Sequence, residues 1–296
     1  MSSRPGGPGR CYGSGMPLKL HNDDAPVDQR PDVSCVIPTF NDRVNLARAV
    51  SSSLRQADVH VEVTLVDDCS DAETRAFIAD LAATDPRIRT FYLPENGGQG
   101  RARNLGAALA RGRYLAFMDQ DDEHAPNWYR FAVGILDSSA TLGALSGRAC
   151  VIDIPSRFGI DETDVRIRGL SAVFTTNMLF RRSVFLASGG FPTSPLWRRK
   201  IAGEDGVYRQ GFCRNWRAGQ CDHPALVHRA KEGGATVHFL DRTSVEDNRV
   251  VMNEFDLVET DGTLEAARQE FYGRAAEAAC EVRNAVMPAE ADGGGA

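Results

Sequence analysis

Three carboxylates fall within four residues at Asp119-Gln120-Asp121-Asp122, directly after the apolar run Tyr114-Leu-Ala-Phe-Met118. Carboxylate oxygens are hard ligands suited to Mg²⁺ or Mn²⁺, and Mg²⁺ usually shares one or two of them with substrate phosphates. An Asp-x-Asp delivered at the end of a strand therefore suits a metal-bridged phosphate ester. The bland alternative is a solvated turn that caps a helix, since Asp is favoured there and Pro126 suits a helix start. A second acid pair, Glu204-Asp205, follows Gly203. Such a pair offers a general base to an attacking hydroxyl, or simply the acidic first turn of a helix. Two more polar clusters, Pro38-Thr39-Phe40-Asn41 and Asp67-Asp68-Cys69-Ser70, each end a β-branched run.

Clusters so far apart in sequence need a scaffold that brings them to one edge. Residues 33–38, 61–66, 88–93 and 113–118 read as strands, rich in β-branched and apolar side chains. Helical patterns lie between them. The first is capped by Asn41 or Asp42 and carries Val44, Leu46, Ala47, Val50 and Leu54 on one face. The second is capped by Ser70 or Asp71, with Phe77, Ile78 and Leu81 inward. The third is Ala-rich over 100–111, with Gly112 just past its end as a C-terminal stop. Strands alternating with helices call for an α/β fold with a mostly parallel, doubly wound sheet. Ligands of such sheets bind beyond the carboxyl ends of the strands, where the clusters at 38–41, 67–70 and 119–122 converge on one cleft. Further along, 128–136 and 204–216 are predicted helical. Residues 142–154, 172–180 and 235–240 are predicted strands, and 161–169 a charged loop. Residues 264–286 form a long amphipathic helix, with Leu264, Ala267, Phe271, Ala275, Ala278 and Val282 near helical spacing.

Val33-Ser-Cys-Val-Ile-Pro-Thr-Phe-Asn41, followed by Val66-Asp-Asp-Cys-Ser-Asp71, resembles the opening of a family 2 glycosyltransferase of the GT-A (Rossmann-like) fold. Asn96-Gly97-Gly98 and Ala102-Arg103-Asn104-x-Gly106 are similar to the family's third block, and Phe117-Met-Asp-Gln-Asp-Asp122 with Pro126 to its DxD block. Thr176-Asn-Met-Leu-Phe-Arg-Arg182, Gly189-Gly190-Phe191 and Gly203-Glu204-Asp205 resemble its acceptor-side blocks. The likeness runs from about 32 to 239, and its specificity lies in the order and spacing of the blocks. It implies a metal-dependent, inverting transfer of one sugar from a nucleotide-diphospho-sugar to an acceptor hydroxyl on a glycan, lipid-linked sugar or small molecule. A UDP-linked donor is expected, with guanine and thymine open as bases.

The resemblance further implies roles for single residues. Asp205, beside Glu204, is the general base. Asp121 ligates Mg²⁺ or Mn²⁺ together with Asp119, which lies close to the ribose or sugar. Asp68 accepts from a uracil-type imide N–H, and Phe40 stacks on the base with the backbone of Pro38 alongside. Core packing is the other use of Phe40. Arg103, in the first turns of a helix, favours the diphosphate or joins a surface salt bridge. Asp122 orients the site or caps a helix. Trp197-Arg198-Arg199-Lys200 is a loop over the diphosphate or a solvated charge run. His223, His228 and His238 lack metal spacing and read as satisfied core or surface residues, or one of them as a further ligand. Processive members carry Gln-x-x-Arg-Trp, whereas Gln210, Arg214 and Trp216 stand at other spacings, which points to addition of one sugar.

Length and composition bound these expectations. The 296 residues, 42% hydrophobic and 25% charged, fit an ordinary soluble protein. A net charge of −6 argues against nucleic acid as a partner. No apolar run approaches the roughly 20 residues of a transmembrane helix, which leaves peripheral membrane association open. Seven cysteines without a C-x-x-C pair fit reduced thiols and a cytoplasmic location. Nothing apolar follows Arg4 and Arg10 as a secretory signal would. The expected organisation is a disordered extension over 1–31, a transferase domain over 32–260, the amphipathic helix over 261–287 and a tail over 288–296. Two rivals stand beside the transferase. Nucleotidyl transfer calls for a Gly-rich loop with Arg or Lys after the first strand, unlike Pro38-Thr-Phe-Asn41. A non-catalytic nucleotide-sugar-binding protein would keep the fold and bind donor without reaction.

Overall fold

The computed structural model describes residues 30–198, 203–252 and 262–286. The predicted N-terminal extension up to 29, Arg199-Lys200 of the charge run, and the predicted tail lie outside the described residues. In chain order the elements are β1 (Val33–Thr39), α1 (Leu46–Leu54), β2 (Val61–Asp67), α2 (Ala72–Ala83), β3 (Ile88–Tyr92), α3 (Gln99–Leu109), β4 (Tyr114–Phe117) and β5 (Glu123–His124). They continue as α4 (Trp128–Ser138), β6 (Ala144–Ile152), α5 (Val165–Ser171), β7 (Met178–Arg181), α6 (Arg182–Ala187), α7 (Glu204–Asn215) and β8 (Ala218–Arg229). The last are α8 (Ala235–Asp241), β9 (Thr243–Glu246), β10 (Arg249–Met252) and α9 (Thr263–Val286).

One sheet runs in the order β3-β2-β1-β4-β7-β6-β8-β5, and β9 and β10 form a separate antiparallel pair. β1 pairs in parallel with β2 and β4, as does β2 with β3 and β6 with β8. β7 is antiparallel to both neighbours, and β5 to β8. The fold is thus the expected α/β type with a mostly parallel sheet and a C-terminal helix.

The apolar strands are continuous because both faces of the sheet are covered. Val33, Cys35 and Ile37 enter one core with Leu46, Val50, Ile78 and Trp128, while Val36 enters the other with Ala102, Ala107, Phe117 and Phe180. Successive strand residues point to opposite faces, so α1, α2 and α4 cover one side and α3, α6, α7 and α9 the other. α3 lies close on the strands because Gly106 has no side chain where a Cβ would strike Val36 and Val66. Gly112 does not form the expected helix stop. A Cβ there would meet the Ser34 backbone, so close approach to β1 accounts for it.

Four other expectations are corrected. Helix α1 starts at Leu46, not near Asn41; Asp42 turns back to accept from the Val44 and Asn45 amides, and Val44 stays in solvent. The predicted loop at 161–169 contains most of α5, whose first turn is held by the Asp164 carboxylate on the Arg166 amide. Residues 235–240 form helix α8, with Thr236, Val237 and Leu240 inward; a short apolar run does not distinguish strand from helix by itself. Strand β8 was not expected, because Gly219, Asp222 and Pro224 interrupt it. Pro224 sits where the β6–β8 register shifts, a place that tolerates proline.

Candidate active site

β1, β2 and β4 are parallel, so their ends open on one edge of the sheet. A cavity of about 190 Å³ there is lined by Pro38, Thr39, Phe40, Asp68, Gln99, Asp119, Gln120 and Asp121. An adjoining cavity of about 790 Å³ shares Phe40, Asp68 and Gln99 and extends past the start of α3 to Trp197, Glu204, Gly233 and His238. Sequence blocks at 38–41, 67–70, 96–98, 119–122 and 204 thus border one continuous cleft.

Phe40 is 45% exposed at the cleft mouth, so core packing is not its use. Its backbone is clamped by Gln120, whose Oε1 accepts from the Phe40 amide at 2.9 Å and whose Nε2 donates to the Phe40 carbonyl at 3.2 Å. Asp68 is buried and accepts from the Gly97 and Gly98 amides at 2.7 Å each. Each of its oxygens keeps one lone pair beyond these bonds. Asp67 is structural, receiving the Ser70 amide and Arg75 Nε.

Arg103 stands elsewhere than expected. Its guanidinium is fully buried, with Nη2 at 2.5 Å from Asp119 Oδ1, Nη1 at 2.7 Å from Asp205 Oδ1, and Nη1 at 3.9 Å from Glu204. Burial disfavours its charge, but Asp205, Asp119 and Glu204 outweigh that and raise its pKa. It also lies over the Phe191 ring. Its charge is engaged by these acids, which it holds together from the interior.

Gly203, at φ +63°, turns the chain so that Glu204 and Asp205 open α7 against this guanidinium. Thr175 Oγ1 also donates to Asp205 Oδ1, at 2.7 Å. Both bonds use Oδ1 and neither engages Oδ2. One turn on, Arg209 bonds the Ser171 and Phe174 carbonyls, Asn177 Oδ1 and Ser146 Oγ, which fixes the segment that carries Thr175. Glu204 is bonded by Gln99 Nε2, and burial, then the charge of Asp205, raises its pKa.

The remaining acids of the 119–122 block are also paired. β5 begins right after it and pairs with β8 in the register Glu123↔Val227 and His124↔Leu226. Asp122 thereby comes to face His228, whose Nδ1 lies 2.9 and 3.0 Å from its two oxygens, while Nε2 meets Thr236 Oγ1. Asp122 does not cap α4, whose N-cap is Asn127. Burial raises the Asp122 pKa; it opposes protonation of His228, yet the bond to Asp122 raises that pKa as well. Lys231 Nζ lies 2.8 Å from Asp121 Oδ2. His124 is a buried hub whose Nδ1 meets Tyr129 Oη at 2.7 Å and whose Nε2 meets the Thr176 carbonyl at 3.1 Å. Sequence alone did not single out Thr175, Arg209, His124 or Lys231; only the pairing of distant strands gives them partners.

Among the described residues, no group of three or more His, Cys, Asp and Glu side chains is arranged to hold a metal. Asp119 and Asp121 offer two carboxylates, each already facing a cation. Such a pair fits a divalent ion that arrives with a diphosphate, because Mg²⁺ needs only one or two protein carboxylates beside phosphates and water.

A mostly parallel sheet that delivers carboxylates from several strand ends to one cleft is the architecture of the GT-A transferases. The model of Glycosyl transferase family 2 matches residues 34–187, and the chain belongs to that family. It is 42% identical over 159 residues to the succinoglycan biosynthesis protein ExoO of Rhizobium meliloti (strain 1021), covering 52% of this chain and 45% of that protein. It is 42% identical over 94 residues to the putative teichuronic acid biosynthesis glycosyltransferase TuaG of Bacillus subtilis (strain 168), covering 32% of this chain and 37% of that protein. The chain therefore spans less than half the length of these relatives. The mannosyltransferase PcManGT from Pyrobaculum calidifontis, solved with GDP-Man and Mn²⁺, shares the fold at a TM-score of 0.54 and 20% identity, over 91% of this chain and 80% of that one. S. aureus TarS with UDP-GlcNAc does so at 0.55 and 21%, over 69% and 60%. Among the described residues no helix is long and apolar enough to cross a membrane.

Proposed function

We propose that this chain transfers one sugar from a nucleotide-diphosphate donor to an acceptor hydroxyl during polysaccharide assembly, with inversion at the anomeric carbon. The observation that carries this is Arg103, which joins Asp119 at the end of β4 to Glu204 and Asp205 at the start of α7. One guanidinium fixes the donor-side acid and the acceptor-side acids in mutual register. The relatives named for succinoglycan and teichuronic acid biosynthesis support a polysaccharide product. The related folds solved with UDP-GlcNAc and with GDP-Man support a nucleoside-diphosphate donor.

In this reading Asp205 is the general base. Oδ1 is anchored by Arg103 and Thr175, so Oδ2 takes the proton of the acceptor hydroxyl as its oxygen attacks the anomeric carbon. Attack comes from the face opposite the diphosphate, which gives inversion in a single displacement. Glu204 holds Gln99 at the cleft wall. Phe40, set by Gln120, stacks on the base, with Pro38 beside it and Asp68 offering its remaining lone pairs to an imide N–H. The N-terminal end of α3 borders the larger cavity and favours the diphosphate. Asp121 and Asp119 would hold a divalent cation, which would supply the charge that neutralises the leaving diphosphate.

A thermal-shift panel of nucleoside diphosphates and their sugars, with and without Mn²⁺, tests this. A shift for one nucleotide, UDP being expected, enlarged by Mn²⁺, supports the donor assignment. Absence of a shift for every nucleotide overturns it.

A further inference from the structure

We propose that Lys231 is a resident counter-cation of Asp121 which a divalent metal must displace, so that the chain takes up metal together with a nucleoside diphosphate and not before it. This rests on Asp121 being a metal ligand, as given above. Each acid of the 119–122 block faces a base: Asp119 faces Arg103 at 2.5 Å, Asp122 faces His228 at 2.9 Å, and Asp121 faces Lys231 at 2.8 Å. The first two pairs are closed, because Arg103 and Asp122 are buried and separating them would leave an unpaired charge in the interior. In the third pair the side chains are 44% and 32% exposed. An ion pair so open to water is weak, and its lysine can return to solvent at little cost.

The fold delivers Lys231 to this place. Register between β5 and β8 carries the chain leaving β8 back over the acid block. β8 ends at Arg229, and residues 231–234 form a tight turn closed by the Gly234 amide on the Lys231 carbonyl at 2.9 Å, with Gly233 at φ +70°. Gly233 and Gly234 line the larger cavity. Lys231 thus meets Asp121 two residues before the glycines that line the cavity a diphosphate would fill. An ammonium and a divalent ion repel each other strongly at one carboxylate. Phosphate oxygens give the ammonium another acceptor, so diphosphate removes the competitor while bringing ligands of its own.

Mn²⁺ alone, titrated into the nucleotide-free chain and followed by its electron paramagnetic resonance signal, tests this. The parent is expected to bind Mn²⁺ weakly. Lys231→Met should bind it about two- to fivefold more tightly, Lys231→Arg should behave as the parent, and Lys231→Met with Asp121→Asn should lose the gain. With UDP present, the parent should take up Mn²⁺ at lower concentration. The proposal is overturned if Lys231→Met leaves Mn²⁺ affinity unchanged, if the gain survives Asp121→Asn, or if the parent binds Mn²⁺ as well without UDP as with it. Lys231→Gln carries the same expectation should the Met variant fail to fold. UDP binding is measured separately by calorimetry. If UDP does not bind, the donor assignment fails, while the nucleotide-free titration still decides the role of Lys231.

Discussion

Arg103 and Asp205 set the chemistry of the cleft at the scale of single side chains. A buried charge is tolerated when opposite charges and hydrogen bonds surround it, and removing one partner strands the others. Arg103→Met leaves Asp119, Glu204 and Asp205 facing each other without a cation, and should cost about 3–5 kcal/mol of unfolding free energy, read from urea denaturation. Lysine should restore only part of this, since it lacks the planar fork that reaches two carboxylates at once. Asp205→Asn keeps the shape and the Arg103 contact but removes the basic oxygen. Transfer should slow by about 10²–10⁴-fold, with donor affinity nearly unchanged by calorimetry; a collapse of donor affinity would show that Asp205 holds donor instead. The acids themselves were legible in the sequence, because Asp-x-Asp after a strand and an acid pair after glycine are local patterns. Their partners were not. Arg103 lies 16 residues from Asp119 and 102 from Asp205, and only the folding of α3 onto β1 and β2 brings its guanidinium to both.

At the scale of elements, β1 to β4 were read well, as were β6, α7 and α9 later in the chain, while β5, α5, α6, α8 and β8 were missed or misread, for a physical reason. β1 to β4 are buried on both faces and alternate with helices that carry one apolar stripe, so period and composition agree. Beyond Ser138, single elements rely on neighbours far away: β8 accepts a proline at a register shift, and α8 buries a run that looks like a strand. His124 shows what such long-range tying does. It sits in β5 and joins α1, α4 and the turn before β7 through Ser53, Tyr129 and Thr176. Nε2 is assigned as donor to the Thr176 carbonyl, so the neutral ring accepts from Tyr129 at Nδ1. Burial lowers its pKa to about 4, against a slight opposing pull from the Thr176 carbonyl. The unfolded chain, with an ordinary imidazole near 6.5, therefore binds a proton that the folded chain refuses. Stability falls as pH drops from about 6.5 towards 4, by up to about 3 kcal/mol from this residue. His124→Gln lacks that slope. Urea midpoints measured from pH 7.5 to 4.5 should show the parent losing its advantage over the variant as the solution becomes acid; a constant gap would mean that the ring takes up its proton at the same pH in the folded and unfolded chain.

For the whole molecule, the acid pair at the start of α7 is held in place by what lies behind it. α7 is covered by α9, with Phe271 and Tyr272 seated against Gly211, Tyr272 Oη donating to Gln210 at 2.6 Å, and Arg214 over the Tyr272 ring. The same aromatic core continues through Phe212, Tyr208 and Phe180 to Phe117 on β4. α9 is thus joined through side chains to the strand that delivers the 119–122 block, although none of its residues lines the cleft. Phe271→Ala removes a large ring from this core. It should cost about 3–5 kcal/mol, a fall in melting temperature on the order of 10 °C for a domain of this size. The urea m-value should hold, because the surface exposed on unfolding is unchanged. Below the melting transition the folded variant should bind nucleotide as the parent does. Loss of nucleotide affinity in step with stability would instead place α9 in direct contact with the ligand, against the geometry that puts α7 between them.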